Sequence, residues 1–198
     1  MANEQESDDA LVARSGRGDR DAAAELVARH TDKIYAVCFR MLGARHAAED
    51  AAQETFLRLW RNAAKWKPGA AKFETWLYRV AMNICIDQLR KGKREAPEEA
   101  APEQIDTAAR PDEAYFAGEK RFAIDDALAR LPDRQRMAIT LCHYQEMSNI
   151  EAARVMEVSV EALESLLARG RRALRERLSP IKESLTGKMS DETRATIN

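Results

Sequence analysis

The stretch that decides the fold is residues 49–60, which read EDAAQETFLRLW. Ala52, Phe56, Leu59 and Trp60 recur at the spacing of a helix, so they predict one apolar stripe that packs against a core. The polar residues between them fall on the opposite, wetter side. We therefore expect an amphipathic helix that extends over residues 47–65.

A second helix is predicted after a loop that contains Pro68 and Gly69. It covers residues 73–91 and ends in the basic run 90–94. Its apolar stripe consists of Leu77, Val80, Ala81, Ile84 and Leu89. The opposite face presents one polar side chain per turn, from Arg79, Asn83, Asp87 and Arg90.

The composition indicates an all-helical protein of one or two small domains. The 198 residues include few glycines and prolines, and the two-residue alternation that is typical of strands is nearly absent. The formal net charge is −1 although 33% of the residues are charged, so the chain as a whole is not a basic nucleic-acid binder. Any binding of DNA must depend on local segregation of charge.

Several classes of protein are disfavoured. No apolar run approaches the length of a membrane span, and the acidic start of the chain does not fit a signal peptide, so a cytoplasmic protein is expected. Cys38, Cys85 and Cys142 lack metal-ligand spacing and are expected to be reduced thiols. The sequence contains no phosphate-binding glycine loop and no nucleophile–base arrangement. We expect no enzyme, metal or cofactor.

Two further helices are predicted upstream of the 47–65 helix. The first follows a polar tail, taken as residues 1–9, and ends near Gly16 and Gly18. The second covers residues 19–42 and stops at Gly43. Its inner side is expected to carry Leu26, Ile34, Val37, Cys38, Met41 and Leu42.

The run from Asp50 to Trp60, followed by the Phe-x-Thr-Trp-Leu motif at 73–77 and the Ile-Asp-x-Leu-Arg-Lys motif at 86–91, resembles region 2 of bacterial extracytoplasmic-function (ECF) sigma factors. The resemblance implies a helical bundle whose 47–65 helix docks on the clamp helices of the large subunit of RNA polymerase. The matching polar patch consists of Asp50, Gln53, Glu54, Leu57 and Arg58. A polar patch suits a partner that is exchanged, because such interfaces are about as apolar as ordinary surface.

The loop at 66–72 and the helix after it are suited to DNA. Cations can meet phosphates, flat rings can hold unstacked bases, and Asn83 can offer a donor and an acceptor to a base edge. The resemblance implies that the loop receives a base flipped out of the opening promoter, and that both segments read the −10 element. The residues predicted to bind there are Lys65, Lys67, Lys72, Phe73, Arg79, Asn83, Arg90 and Lys91. The alternatives are a solvated connector and an ordinary polar helix face.

Residues 95–114 have a different composition. Pro97, Pro102 and Pro111 lie among many acidic residues without an apolar period, which predicts a flexible acidic linker. Our hypothesis is that this linker occupies a basic nucleic-acid channel of the polymerase and imitates a phosphate chain.

The C-terminal part has the pattern of a helix-turn-helix. Helices are predicted over 115–131 and from Pro132 to Met147; then Ser148 and Glu151 match a capping box, and Ser159 can cap a longer helix. The shorter helix carries Ile150, Ala153 and Met156, and the longer one holds Leu163, Leu167, Gly170 and Leu174 on one side.

At this distance from region 2, the helix pair resembles sigma region 4, which reads the −35 element and also touches the polymerase flap. The residues predicted to bind the −35 element are Glu161, Ser165, Arg169, Arg171, Arg172 and Arg175. One feature departs from the family. The first turns carry Glu161 and Glu164 where many members have a basic residue, so contact geometry and −35 preference are expected to differ.

The predicted fold is therefore all-α, with region 2 at 10–94, the linker at 95–114, region 4 at 115–178 and a disordered polar tail at 179–198 that could instead contact a regulator. The implied function is that of an alternative sigma factor for a regulated, stress-response set of genes. The implied partners are core RNA polymerase, promoter DNA and an anti-sigma factor. Two alternatives stay open: a two-domain DNA-binding regulator that never joins polymerase, and an adaptor that binds only protein.

Overall fold

Helices account for all the regular secondary structure in the described residues, so the all-α prediction is confirmed. The computed structural model describes residues 6–67, 72–95 and 123–195, with the backbone alone at 95 and from 180 onward. The helices are α1 (Asp8–Ser15), α2 (Arg20–Leu42), α3 (Arg45–Ala63), α4 (Phe73–Glu95), α5 (123–129), α6 (Asp133–Ile139), α7 (Asn149–Met156) and α8 (Val160–Ala195), with a π-helical turn at Thr140–Tyr144.

Helices α1–α4 form an N-terminal bundle around a continuous apolar core. The predicted stripes of α2 and α3 lie inside it, although Leu42 and Trp60 are only half-buried. In α4, Leu77, Ala81 and Ile84 are buried as predicted, whereas Val80 and Leu89 are half-buried. Burial of one large apolar side chain is worth about 1.5–3 kcal/mol, so the stripes determine which helix faces meet. The polar faces of α3 and α4 are therefore turned outward.

Local caps set where the first two helices begin and end. Ser7 Oγ accepts a hydrogen bond from Ala10 N at 3.3 Å, so α1 begins at Asp8, inside the segment expected to be a tail. Asp19 Oδ1 accepts from the backbone amides of Asp21 and Ala22 at the start of α2. At its end, Gly43 adopts a φ of 74°, a left-handed conformation that favours glycine.

Helix α1 is fixed to the bundle by close packing and by two carboxylates. Asp8 Oδ2 lies 2.8 Å from His30 Nε2, and Asp9 Oδ1 accepts a 2.8 Å hydrogen bond from Trp66 Nε1. Gly16 lies so close to the end of α3 that a Cβ atom there would stand 2.8 Å from the backbone of Ala63. Only glycine fits this position without a shift of the backbone.

Helices α5–α8 form a C-terminal bundle. Leu128, Leu141 and Leu163 are fully buried in it, and α8 approaches α6 closely at Gly170, where a Cβ atom would lie 3.1 Å from Ile139 Cγ1. The prediction of one α-helix as far as Met147 is wrong. The chain widens into the π-helical turn at Thr140 and leaves the helix after Tyr144.

The predicted helix-turn-helix and its caps are confirmed. Ser148 and Glu151 form the predicted capping box, and Ser159 Oγ accepts from Ala162 N at 3.2 Å. Ile150 is 57% exposed. The eight-residue α7 buries Ala152, Ala153, Val155 and Met156, which places position 150 on the solvent side.

The expectation of a disordered C-terminal tail is wrong for the backbone that the structure describes. Helix α8 continues through Ala195, past Pro180. Just after Pro180, the helix formers Lys182, Glu183 and Leu185 continue the helix that precedes them. The linker prediction at 95–114 lies outside the described residues except for the backbone of Glu95, which ends α4.

A buried arginine joins the two bundles. Arg136 is 6% exposed, and its guanidinium donates to three carbonyl oxygens: Met41 at the end of α2 at 2.5 Å, Ala129, and Leu131 at 3.2 Å. Burial lowers the pKa of this guanidinium. The cost of removing its charge from water is offset by these carbonyl dipoles, so the contact fixes both α5 and α2 relative to α6.

Candidate nucleic-acid and protein interfaces

The first candidate surface is the α3 patch, defined as Asp50, Gln53, Glu54, Leu57 and Arg58. Asp50 and Gln53 are exposed, and Leu57 is unusual among large apolar residues in being 42% exposed. Glu54 Oε1 accepts a 2.9 Å hydrogen bond from Arg58 Nε one turn away. The patch thus offers polar groups and one apolar side chain on a rigid helix.

A groove of about 470 Å³ runs between α3 and α4 and connects the α3 patch to the basic end of α4. Glu54 and Arg58 line it from α3, while Arg90, Lys91 and Arg94 line it from α4. The residues predicted for polymerase and those predicted for the −10 element therefore share one continuous surface. No property of the sequence alone establishes that continuity, because it depends on how α3 crosses α4.

The α4 basic face, defined as Lys72, Arg79, Asn83, Arg90 and Lys91, is presented on the outer side of α4. Asn83, Arg90 and Lys91 are exposed, in agreement with the predicted helix face. Lys65 and Lys67 are also exposed beyond the end of α3. Pro68 and Gly69, in the loop predicted to take up a base, lie outside the described residues.

Phe73 does not belong to this outer face. Only 4% of it is exposed, and its ring packs edge-on against His30 at 5.3 Å and Trp66 at 5.8 Å between centroids. Trp76 completes the cluster, 5.7 Å from Trp66. The ring expected to hold an unstacked base is instead part of the core in this structure. Its packing stabilises the residues on either side of the loop.

The C-terminal bundle lies against α4 and pairs with several of its cations. Lys72 Nζ donates to Glu151 Oε1 at 2.6 Å, and Lys93 Nζ donates to Asp133 Oδ2 at 2.7 Å. The hydrogen bond with Lys72, together with that from Ser148, lowers the pKa of Glu151 to about 2.

A third pair joins Arg79 Nη1 to Glu157 Oε1 at 3.3 Å. Glu157 caps the end of α7 with a φ of 53°, a left-handed conformation. Sequence reasoning assigned no role to Asp133 or Glu157. Their acidic character is the only signal in the sequence, and it does not distinguish a paired carboxylate from a solvated one.

Neutral contacts accompany these ion pairs. Tyr78 is 6% exposed and donates from its hydroxyl group to Gln145 Oε1 at 2.8 Å, while burial raises the pKa of Tyr78 to about 12. The guanidinium carbon of Arg40 lies 4.1 Å from the centre of the Tyr144 ring, a cation–π contact. A cleft of about 620 Å³ separates the bundles beside these contacts.

The α8 arginine face, defined as Arg169, Arg171, Arg172 and Arg175, lies on the exposed side of α8. Leu163, Leu167 and Gly170 are buried as predicted, while Leu174 is half-buried. Glu161, Ser165, Arg169, Arg171, Arg172 and Arg175 are all exposed. Four guanidinium groups within about two turns of one helix give a local positive charge that the net charge of the chain conceals. A helix of this kind fits the major groove of DNA.

The thiols and the histidines offer little chemistry. Cys38 and Cys85 are buried in mutual hydrogen-bond contact, and that contact and burial raise the pKa of Cys85, which disfavours a reactive thiolate.

Asp8, His30 and Glu74 are near enough to be considered as metal ligands. Asp8 already pairs with Arg29 at 3.0 Å and Glu74 with Lys33 at 3.3 Å. We interpret this cluster as an ion-pair network that fixes α1.

Comparison with known families matches both bundles. Residues 26–95 match the model of Sigma-70 region 2, and residues 121–174 match that of Sigma-70 region 4. Among curated relatives, the ECF RNA polymerase sigma factor SigW of Bacillus subtilis is 37% identical over 172 residues, which are 82% of this chain and 91% of SigW. The RNA polymerase sigma-H factor of Pseudomonas aeruginosa is 30% identical over 187 residues, 89% of this chain and 96% of that factor.

Solved structures agree with this assignment. A structure of CnrH in complex with the cytosolic domain of CnrY aligns with a TM-score of 0.67 and 26% identity, and it covers 88% of this chain and 99% of CnrH. The sigma factor RpoE from Bartonella quintana, in complex with the anti-sigma factor NepR, has the same fold at a TM-score of 0.66 and 22% identity, over 79% of this chain and 96% of RpoE.

These matches define the class of protein. The chain belongs to the sigma-70 family, and within it to the ECF sigma factors. It is an alternative sigma factor, as the sequence motifs predicted. Among the described helices, none combines the length and the apolar character that crossing a bilayer requires.

Proposed function

We propose that this sigma factor binds core RNA polymerase through the α3 patch, opens and reads the −10 element with the α4 basic face, and reads the −35 element with the α8 arginine face. The observation that carries the proposal is the shared groove between α3 and α4. It places Glu54 and Arg58 beside Arg90 and Lys91, so that polymerase and the melted strand can be held side by side.

The chemistry of each surface fits its role. The exposed Leu57 and the polar residues around it suit a partner that is released after initiation, because a strongly apolar patch would bind too persistently. Arg79, Arg90 and Lys91 can neutralise phosphates, and Asn83 can read a base edge. Lys65 and Lys67 extend the positive charge toward the end of α3.

Other parts of the proposal follow from the family. The chain acts as a polymerase subunit in the cytoplasm and not as an enzyme in its own right. An anti-sigma factor restrains it, by analogy with the two structural neighbours solved with such partners, and a stress signal releases it. The predicted domain boundaries at 94/95 and 114/115 fit this scheme.

The experiment that tests the proposal is run-off transcription with purified core polymerase, combined with a binding titration. The double variant Gln53→Ala, Glu54→Ala should bind core polymerase about tenfold more weakly, as expected for a loss of about 1.4 kcal/mol at an interface. Its far-ultraviolet circular dichroism should be unchanged, since both side chains point away from the core.

Glu25→Ala is the matched control. Glu25 also pairs with an arginine one turn away, at 2.8 Å to Arg29, and its loss changes the net charge equally. Equal polymerase binding by the double variant and this control would contradict the role of the α3 patch. DNA binding without any support of transcription would instead identify a regulator that does not join polymerase.

A further inference from the structure

We infer that Glu164 is a specificity-determining residue of α8, which selects cytosine at one base pair of the −35 element, and that Asn149 is its positioning residue. The inference rests on the proposed function of α8 and goes beyond it, because it names one base and the side chains that read it. Its basis is a side-chain contact between the two helices of the helix-turn-helix.

The carboxylate of Glu164 is held by the first residue of α7. Asn149 Nδ2 donates a hydrogen bond to Glu164 Oε1 at 3.2 Å. Glu164 is nevertheless exposed, and among the described residues its second oxygen, Oε2, accepts no hydrogen bond. The side chain is therefore fixed before DNA binds, while one oxygen stays available to a donor on the DNA.

The amide of Asn149 is oriented in turn by the π-helical turn. Cys142 Sγ donates to Asn149 Oδ1 at 3.9 Å, so the amide nitrogen is the atom that faces Glu164. Burial raises the pKa of Cys142, so the thiol keeps its proton and remains a donor. Each side chain in this series orients the next one.

Glu164 lies where a recognition helix meets base edges. It is in the second turn of α8, and the N-terminal residues of such a helix contact the bases. Ala168 and Arg172 follow at intervals of four residues on the same exposed face. The small side chain of Ala168 permits close approach to the groove between Glu164 and Arg172.

The other acidic residue in these turns is held differently. The carboxylate of Glu161 bonds to its own backbone amide and to the hydroxyl group of Ser159, which lowers the pKa of Glu161. Its oxygens are thus drawn to the start of α8. Glu164 is the carboxylate that the neighbouring helix supports from the side.

A carboxylate at this place selects for one base. Phosphates repel it, so only a hydrogen-bond donor on a base edge can stabilise it in the complex. In the major groove the amino groups of cytosine and adenine are donors, but adenine also presents the acceptor N7 beside its amino group, which repels a carboxylate. Cytosine N4 is therefore the preferred partner of Glu164.

The test is selection of DNA by the complex of the full chain with core polymerase. The probe is a double-stranded library randomised over the length of a promoter, and the bound molecules are sequenced. The wild-type complex should select an upstream element with cytosine at one position. Glu164→Gln should replace that cytosine by adenine on the same strand and change no other position, because glutamine pairs with adenine N6 and N7.

Glu176→Gln is the matched control. Glu176 is exposed on the same helix and loses the same charge, but it lies several turns nearer the C-terminal end. The control should select the same element as the wild type. Circular dichroism verifies that both variants fold.

Two duplexes that differ only at the selected base pair measure the discrimination. The wild-type complex should bind the cytosine duplex about tenfold more tightly than the adenine duplex, as expected for one good base contact. Asn149→Ala should reduce this ratio to about threefold, because Glu164 is no longer pre-organised. A merely structural role of Asn149 would weaken both duplexes equally, so an unchanged ratio would contradict its positioning role.

The inference is overturned if Glu164→Gln selects the same bases as the wild type at every position, or if the base that depends on Glu164 is not cytosine. Failure of the proposed function has a different signature, because the wild-type complex would then select no upstream element at all. An upstream element that Arg172→Glu abolishes and Glu164→Gln leaves unchanged would support the proposed function and refute the inference.

Discussion

Replacing Arg136 with alanine is the most severe test of how the C-terminal bundle is held together. The guanidinium donates to Met41, Ala129 and Leu131, and alanine leaves these buried carbonyl oxygens without that donor. Each lost hydrogen bond of this kind costs about 1–3 kcal/mol. Part of the cost is recovered, because the folded protein no longer has to bury a charge.

The expected net loss is therefore about 3 kcal/mol in the free energy of unfolding. Urea denaturation followed by circular dichroism measures it. Arg134→Ala is the matched control, since Arg134 lies on the same helix, is exposed and donates to a single carbonyl oxygen, that of Met156, at 3.2 Å. We expect the control to lose less than about 1 kcal/mol.

Near-equal stability of the two variants would refute this account of Arg136. It would mean that water replaces the guanidinium at the carbonyl oxygens without cost. A lysine at position 136 provides an intermediate case, because one ammonium group cannot span oxygen atoms on α2 and α5 as a planar guanidinium does. Arg136→Lys should therefore recover only part of the lost stability.

Three further predictions concern separate surfaces. If Arg172 reads a base, Arg172→Glu should weaken binding to the −35 element by about 1–3 kcal/mol and so reduce −35-dependent transcription. Transcription equal to that of the wild type would contradict that role. Gly16→Ala should destabilise the N-terminal bundle by about 1–3 kcal/mol, because its Cβ meets the Ala63 backbone at 2.8 Å; Gly92→Ala, with open space around it, should be neutral or stabilising. The lowered pKa of Glu151, about 2 against an ordinary 4.5, means that its contribution to the contact between the bundles is complete above pH 4.5 and is lost as the pH falls toward 2. The radius of gyration from small-angle scattering should therefore rise only in that acidic range.

The elements that could be predicted from the sequence are those fixed by local periodicity. The α3 stripe of Phe56 and Leu59 and the capping box of Ser148 and Glu151 depend on residues three or four positions apart, which the sequence displays directly. The outward direction of the α3 patch and of the α8 arginine face follows from those stripes. Both surfaces are exposed as expected.

The features that could not be predicted depend on contacts between distant segments. Phe73 begins a helix next to a basic loop and resembles a base-stacking ring, yet its burial depends on His30 and Trp66. Arg136 looks like any surface arginine until α2 and α5 present carbonyl oxygens to it. The exposure of Ile150 could not be predicted either, because a helix as short as α7 has too few residues to fix the direction of its stripe.

The polar character of the contact between the bundles makes that contact weak. Exposed ion pairs such as Lys72–Glu151 contribute at most about 1 kcal/mol each, so the bundles should associate only weakly as separate molecules. Connection in one chain changes this, since it gives an effective concentration on the order of 1 mM. A contact with a Kd of about 0.1 mM would then leave about ten closed molecules for each open one. Phosphates that compete for the α4 cations need to supply only about 1.4 kcal/mol to make the two forms equally populated and about 2.7 kcal/mol to reverse the ratio, whereas an apolar interface of the same extent would hold the bundles together too firmly to be opened by DNA.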